Sequence, residues 1–226
     1  MSSLLLAPAI LCGMFVWAAI LYRWRLGVYA LVVYTPFTGL VVAAFAPSPI
    51  GNLVRDFAII IPLYIAFFLT RRSNDQVVMP FGFVTILAAF TLLIVLSAGL
   101  SETAGTTVAL LGAKVWLFYI PLSFVASAFI HDRGDLEALL RTFVVMGWIP
   151  CVVGLLMWIG AINYDYKESI ELVYGEYARN ATQNFAAFQI GQSKIYRIPA
   201  TFQFATQYAT FAMFMIIPAL MQARLD

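Results

Sequence analysis

Seven stretches of this chain are apolar for long enough to cross a lipid bilayer, and that feature limits most of what the chain can fold into. A helix needs roughly 20 predominantly apolar residues to traverse about 30 Å of hydrocarbon. Residues 4–22, 26–46, 53–70, 77–98, 107–130, 139–161 and 199–221 meet this requirement. Of the 226 residues, 63% are hydrophobic and 11% charged, against about 25% charged in a soluble domain. So many apolar side chains could not all be hidden inside a globule of this size. The composition excludes an ordinary soluble enzyme, a nucleic-acid binder and a disordered chain. Barrel strands would show about ten residues of alternating hydrophobicity, and no segment does. The expected fold is all-α: a polytopic transmembrane bundle of about seven spanning helices forming one membrane domain over residues 1–226.

The ends and loops set the expected orientation. No basic residue precedes the first stretch and Arg23 and Arg25 follow it, which argues against a cleaved signal peptide. Seven spans would place Arg23, Arg25, Arg71, Arg72, Arg133, Arg141 and Arg224 on one side of the membrane. Arg55, Lys114, Lys167, Arg179, Lys194 and Arg197 would fall on the other, four of them in a single long loop at 162–198. Long loops weigh little in the positive-inside rule. The expectation is therefore an amino terminus outside and a carboxyl terminus in the cytoplasm. Trp24, Trp116 and Trp158 fit an interfacial belt or plain packing equally well. Pro36, Pro62, Pro121, Pro150 and Pro218 fall inside spans, where prolines kink helices. Cys12 and Cys151 lie in apolar stretches and suggest neither a disulfide framework nor a metal site.

Chemistry concentrates on the outer side. Within loop 162–198, Asp165-Tyr166-Lys167-Glu168 has capping-box spacing. Ile170, Val173, Tyr174 and Tyr177 then recur at helical intervals, predicting a short surface helix near 166–180. Lys194 and Arg197 follow, leading into Pro199, a residue suited to a helix's first turn. The cations would then stand at the positive end of the seventh span, where anions bind. Inside that span Gln203, Gln207 and Thr210 repeat at i, i+4 and i+7, with Thr206 beside them; polar side chains in hydrocarbon face a bundle interior or a wet cavity. Interhelical hydrogen bonding would explain the stripe without a ligand. Arg55-Asp56 opens the third stretch, either at headgroup depth or pointing into the same outer cavity. Lys114, about eight residues into the fifth stretch, must snorkel or pair. Together Arg55, Lys114, Lys194 and Arg197 form a cationic constellation in an otherwise apolar chain. The single histidine, in His131-Asp132-Arg133-Gly134-Asp135, reads as a solvated loop residue. Asn180-Ala181-Thr182 matches a glycosylation sequon. No Gly-rich phosphate loop, paired-Cys motif or nucleophile elbow is present.

Residues 112–160, GAKVWLFYIPLSFVASAFIHDRGDLEALLRTFVVMGWIPCVVGLLMWIG, resemble the middle of O-antigen ligase and polymerase-like membrane proteins. Arg55-Asp56 resembles that family's span opening, and Arg197-Ile198-Pro199-Ala200-Thr201-Phe202 is similar to its Arg-x-x-Gly-Thr-Phe stretch, with Ala200 standing where the family often has glycine. The resemblance implies a bacterial inner-membrane transferase. It would move glycan from a polyprenyl diphosphate on the outer face to another saccharide or to lipid A core, without metal, cofactor or nucleotide sugar. Carried over by position, Arg197 would bind diphosphate, with Arg55 as a second cation; Lys194 and Lys114 of the cationic constellation and Gln203 and Gln207 of the polar stripe, read from the residues themselves, complete the expected binding set. Family members run to about twice this length and carry more catalytic residues, a histidine among them in ligases, in a later outer loop. The resemblance thus covers an amino-terminal half. Two other classes compete with it. One is a non-catalytic transmembrane subunit of a larger membrane complex. The other is a small transporter, against which stands the lack of a mid-span carboxylate.

Overall fold

The structure, a computed structural model, describes residues 3–45, 50–70, 77, 80–99, 112–114, 116–163, 166–175, 187–190, 193–196, 198–202 and 204–225. Helices dominate. In chain order they are α1 (Ser3–Tyr22), α2 (Trp24–Tyr34), α3 (Thr38–Ala44), α4 (Ile50–Arg55), α5 (Ile61–Thr70), α6 (Phe81–Gly99), α7 (Pro121–Phe129), α8 (Arg133–Asn163), α9 (Tyr166–Tyr174) and α10 (Ala205–Leu225). Among the described residues three helical stretches are long and apolar enough to cross a membrane: Trp24–Ala44, Leu53–Thr70 and Arg133–Asn163. They coincide with the second, third and sixth expected spans.

Several expectations are corrected. The all-α class holds, with one addition that the sequence did not predict: β1 (Ala187–Ile190) and β2 (Ser193–Tyr196) pair antiparallel as a short hairpin inside the long loop. The fifth stretch is not one helix: a turn at residues 118–120 interrupts it, and α7 restarts at Pro121. Proline at the first helical position costs no hydrogen bond, so a residue expected to kink a span instead begins a short helix. The surface helix stops at Tyr174 rather than near 180. Gly175 takes φ +79°, and its N–H returns to the Glu171 carbonyl at 2.8 Å, a left-handed glycine stop. The seventh helix does not begin at Pro199 but at Ala205. Asp165 and the Asn180 sequon lie outside the described residues. His131 is the exposed loop residue expected; its N–H reaches Asp135 Oδ2 at 3.1 Å, while Asp132 Oδ1 receives the Asp135 N–H at 2.8 Å, so the loop caps α8.

Two irregularities shape the first half of the chain. Pro36 lies in a 3₁₀ turn, Thr35–Phe37, that joins α2 to α3. Between α4 and α5 the helix widens into a π turn over Asp56–Ile60, the Ile61 N–H returning to the Asp56 carbonyl. Such turns are rare and recur at functional sites. The widening lets Trp17 of α1 donate its Nε1–H to the Phe57 carbonyl at 2.8 Å.

The chain divides into two compact units, Met1–Ala66 with Leu136–Asp226, and Phe67–Asp135. In the first, Ile20, Trp24, Ile59, Ile60 and Leu63 are buried. Gly27 lets α2 approach them: a Cβ there would stand 2.9 Å from Leu63 Cδ1 and 3.1 Å from Ile20 Cγ2. Small residues permit such approach between membrane helices. Met157 of α8 and Ile170 of α9 form a second buried cluster with Val153, Ala161, Val173, Tyr174 and Ile198. The apolar side of α9 therefore rests on protein. In the second unit Phe67, Val125, Ala128 and Phe129 are buried, and Phe90 meets Trp116 edge-on at 5.8 Å.

Candidate functional site

Two hollows of similar size lie in the first unit. One, about 440 Å³, sits between α8 and α9; its walls are Val153, Leu156, Met157, Leu172 and Val173, with Glu168 and Ser169 as the polar side chains. The other, about 470 Å³, gathers Arg55 with Thr35, Thr38, Thr206, Gln207 and Thr210, backed by Phe143, Phe202, Phe211 and Phe214. Volume does not separate them, but chemistry does. Only the second joins a guanidinium to a set of hydroxyl and amide groups, Thr35 and Thr38 half-buried and Thr206, Gln207 and Thr210 exposed.

Each polar side chain is placed by a local device. Thr35 and Thr38 sit on the 3₁₀ break and donate their hydroxyl protons to the backbone, Thr35 to Leu31 at 2.7 Å and Thr38 to Thr35 at 2.9 Å. What they can offer a ligand is acceptor capacity. Gln207 is the third residue of α10, and its Oε1 receives the Phe204 N–H at 3.3 Å, the reach-back of a helix cap. Its NH₂ remains a donor. Arg55 is the last residue before the π turn, its side chain about a third exposed, with Nε 3.4 Å from Asp56 Oδ1. Asp56 itself is only 3% exposed. The pair stands near the start of the apolar stretch Leu53–Thr70, within the continuous helical run Ile50–Thr70, and Asp56 is a buried carboxylate, which the sequence alone does not reveal.

The aromatic wall is continuous. Phe143 stacks on Phe211 at 5.8 Å, Phe211 meets Phe202 at 4.9 Å, and Phe202 stacks on Tyr208 at 6.1 Å. Gly154 of α8 receives Tyr208 closely, a Cβ there falling 2.7 Å from the phenol oxygen. Two buried polar atoms beside the hollow, Tyr34 Oη and Thr201 Oγ1, have no hydrogen-bond partner among the described residues. Arg55 and Asp56 both lie within electrostatic range of Tyr34.

Of the residues singled out from sequence, the structure brings together Arg55 and Gln207, with Thr206 and Thr210 of the same polar stripe. Lys114 belongs to the other unit, where its Nζ stands 5.7 Å from the centre of the Phe118 ring one helical turn on, a cation–π distance. Lys194 lies in β2 opposite Gln189; its side chain, like Arg197 and Gln203 as a whole, lies outside the described residues. With α10 starting at Ala205, neither Lys194 nor Arg197 stands at that helix's first turn. Thr35, Thr38 and the four phenylalanines were missed. The threonine pair carried a signal, being polar residues at i and i+3 within an apolar span, the same criterion that found the Gln207 stripe. Among the described residues no three His, Cys, Asp or Glu side chains gather as a metal site would require. No protein-family model, curated protein or solved structure matches this chain.

Proposed function

We propose that the Arg55–Gln207 hollow holds the diphosphate end of a polyprenyl-linked glycan. On this reading the chain is an O-antigen ligase or polymerase-like protein of the bacterial inner membrane, or part of one, with seven spans, its amino terminus outside and its carboxyl terminus in the cytoplasm. The observation that carries the reading is the make-up of the hollow itself: one guanidinium, one amide and four threonine hydroxyls line it together with a set of phenylalanine rings. A diphosphate leaving group needs fixed positive charge where its own charge develops, and guanidinium supplies paired donors for phosphate oxygens. The rings supply apolar surface for the first isoprene units. Arg197, Lys194 and Gln203 remain members of the proposed binding set by their place in sequence, whereas Lys114 belongs to the other unit and is left out of it.

The test is binding of a polyprenyl diphosphate to the full chain in nanodiscs. Arg55→Ala should weaken it by about tenfold or more, since charge-assisted hydrogen bonds contribute about 1.5–3 kcal/mol. Gln207→Ala should weaken it less. Unchanged binding in Arg55→Ala overturns the reading. A second reading, a non-catalytic subunit within a larger membrane complex, draws on the outward-facing apolar side chains of α6, Phe81, Ile86 and Leu93 among them, which suit a protein partner as well as lipid. Co-purification of stoichiometric partners in mild detergent, with no binding of the diphosphate lipid, would favour it.

A further inference from the structure

Residues 199–202 connect the hairpin strand to α10 and carry Phe202 into the wall of the hollow. They form a tight turn, the Phe202 N–H returning to the Pro199 carbonyl at 2.9 Å. Ala200 within it takes φ +52°, the left-handed region that glycine enters freely and an L side chain resists. Something must hold an alanine there. The Tyr174 hydroxyl, from the last residue of α9, donates between two carbonyls of this turn, that of Ala200 at 2.6 Å and that of Phe202. Ala200 and Thr201 are fully buried. On the other side, the Thr201 carbonyl accepts the Gly39 N–H at 3.0 Å; Gly39 is in the first turn of α3, where helix donors lack a helical partner. The turn is thus gripped from α9 and from α3 at once, and α3 also carries Thr38 into the hollow.

We infer that Tyr174 is a positioning residue: its hydroxyl holds the 199–202 turn in a left-handed shape and so sets the Phe202 wall of the hollow. The surface helix α9 is then the element that fixes the site's shape, although none of its residues lines that hollow. The inference deepens the reading above and rests on it only for the identity of the ligand.

The experiment uses the full chain in nanodiscs as wild type, Tyr174→Phe, Ala200→Gly and the double variant. Hydrogen exchange at the Gly39 amide reads the turn without any ligand, and binding of geranylgeranyl diphosphate reads the site. Tyr174→Phe removes only the hydroxyl; the Gly39 amide should exchange about tenfold faster and the diphosphate bind several-fold more weakly, the scale of one lost intramolecular hydrogen bond. Glycine at 200 adopts the left-handed shape unaided, so the double variant should return to within about twofold of Ala200→Gly alone in both measurements. A merely structural tyrosine would show no such rescue. Unchanged exchange in Tyr174→Phe overturns the inference, as does a double variant that stays as fast as Tyr174→Phe. If exchange behaves as expected while the wild type ignores geranylgeranyl diphosphate, the positioning role stands and the diphosphate reading falls.

Discussion

The helical run Ile50–Thr70 and the helix Phe81–Gly99 are nearly alike as strings, each a line of Phe, Ile, Leu and Ala with few breaks. Their fates differ. In the first, Ile59, Ile60, Leu63, Ala66 and Phe67 are buried, and a charged pair interrupts the apolar surface. In the second, Phe81, Ile86, Leu92, Leu93, Val95 and Leu96 are all exposed, Phe81 at 86%. Against lipid tails burial is no reward in itself, because the tails are as apolar as leucine; what holds membrane helices together is close packing and hydrogen bonding. The first run has both devices, Gly27 against Leu63 and Trp17 bonded to the π turn. Thr85 and Thr91 of the second donate to their own helix at Phe81 and Leu87. Hydropathy therefore says that a segment enters the membrane, and small or polar residues say where it meets protein.

Four substitutions, measured by thermal or denaturant unfolding in detergent, test this contrast. Leu63→Ala removes a fully buried side chain and should cost about 2–5 kcal/mol, the range for emptied core positions. A cost below about 1 kcal/mol would mean that the first run is as loosely held as the second. Gly51→Ala comes next: the added Cβ would fall 2.7 Å from the Val42 Cα, a backbone that must shift, so about 1–3 kcal/mol is expected. Trp17→Phe keeps the ring but strands the Phe57 carbonyl, an expected loss of about 0.5–1.5 kcal/mol, with the π turn exchanging faster in hydrogen exchange. Leu92→Ala in α6 should change stability by no more than about 0.5 kcal/mol. A large loss at Leu92 would break the comparison outright and show that its face meets protein.

How much was legible beforehand follows the same division. The spans at 26–46, 53–70 and 139–161 were visible because a long apolar run needs no partner to announce itself. The α9 helix was visible through Ile170, Val173 and Tyr174, whose spacing survives in the packing against Met157. Its end was misread: Gly175 was the stop signal and was passed over. Arg55 and Gln207 could be suspected from their cost in hydrocarbon, yet nothing in the chain says that residues 152 positions apart share one hollow. The 199–202 turn was misread as the opening of a helix because Pro199 permits either. A tyrosine hydroxyl from another element decides it, and a contact of that kind has no local signature. Nothing local marks Ala200 either, since its left-handed backbone is a conformation that alanine enters only when its surroundings hold it there.

The widened turn at Asp56–Ile60 has a consequence for everything downstream of it. A π turn takes in one residue more than an α turn, so the azimuth of each later side chain lags by about 100° relative to an unbroken helix. Arg55, upstream, can thereby look toward the hollow while Leu63, eight positions on and two helical turns away, looks into the packed interior. Excising one residue from 57–60 would restore ordinary winding and swing the two ends into a different mutual phase, uncoupling the cation from its neighbours without altering a single charge.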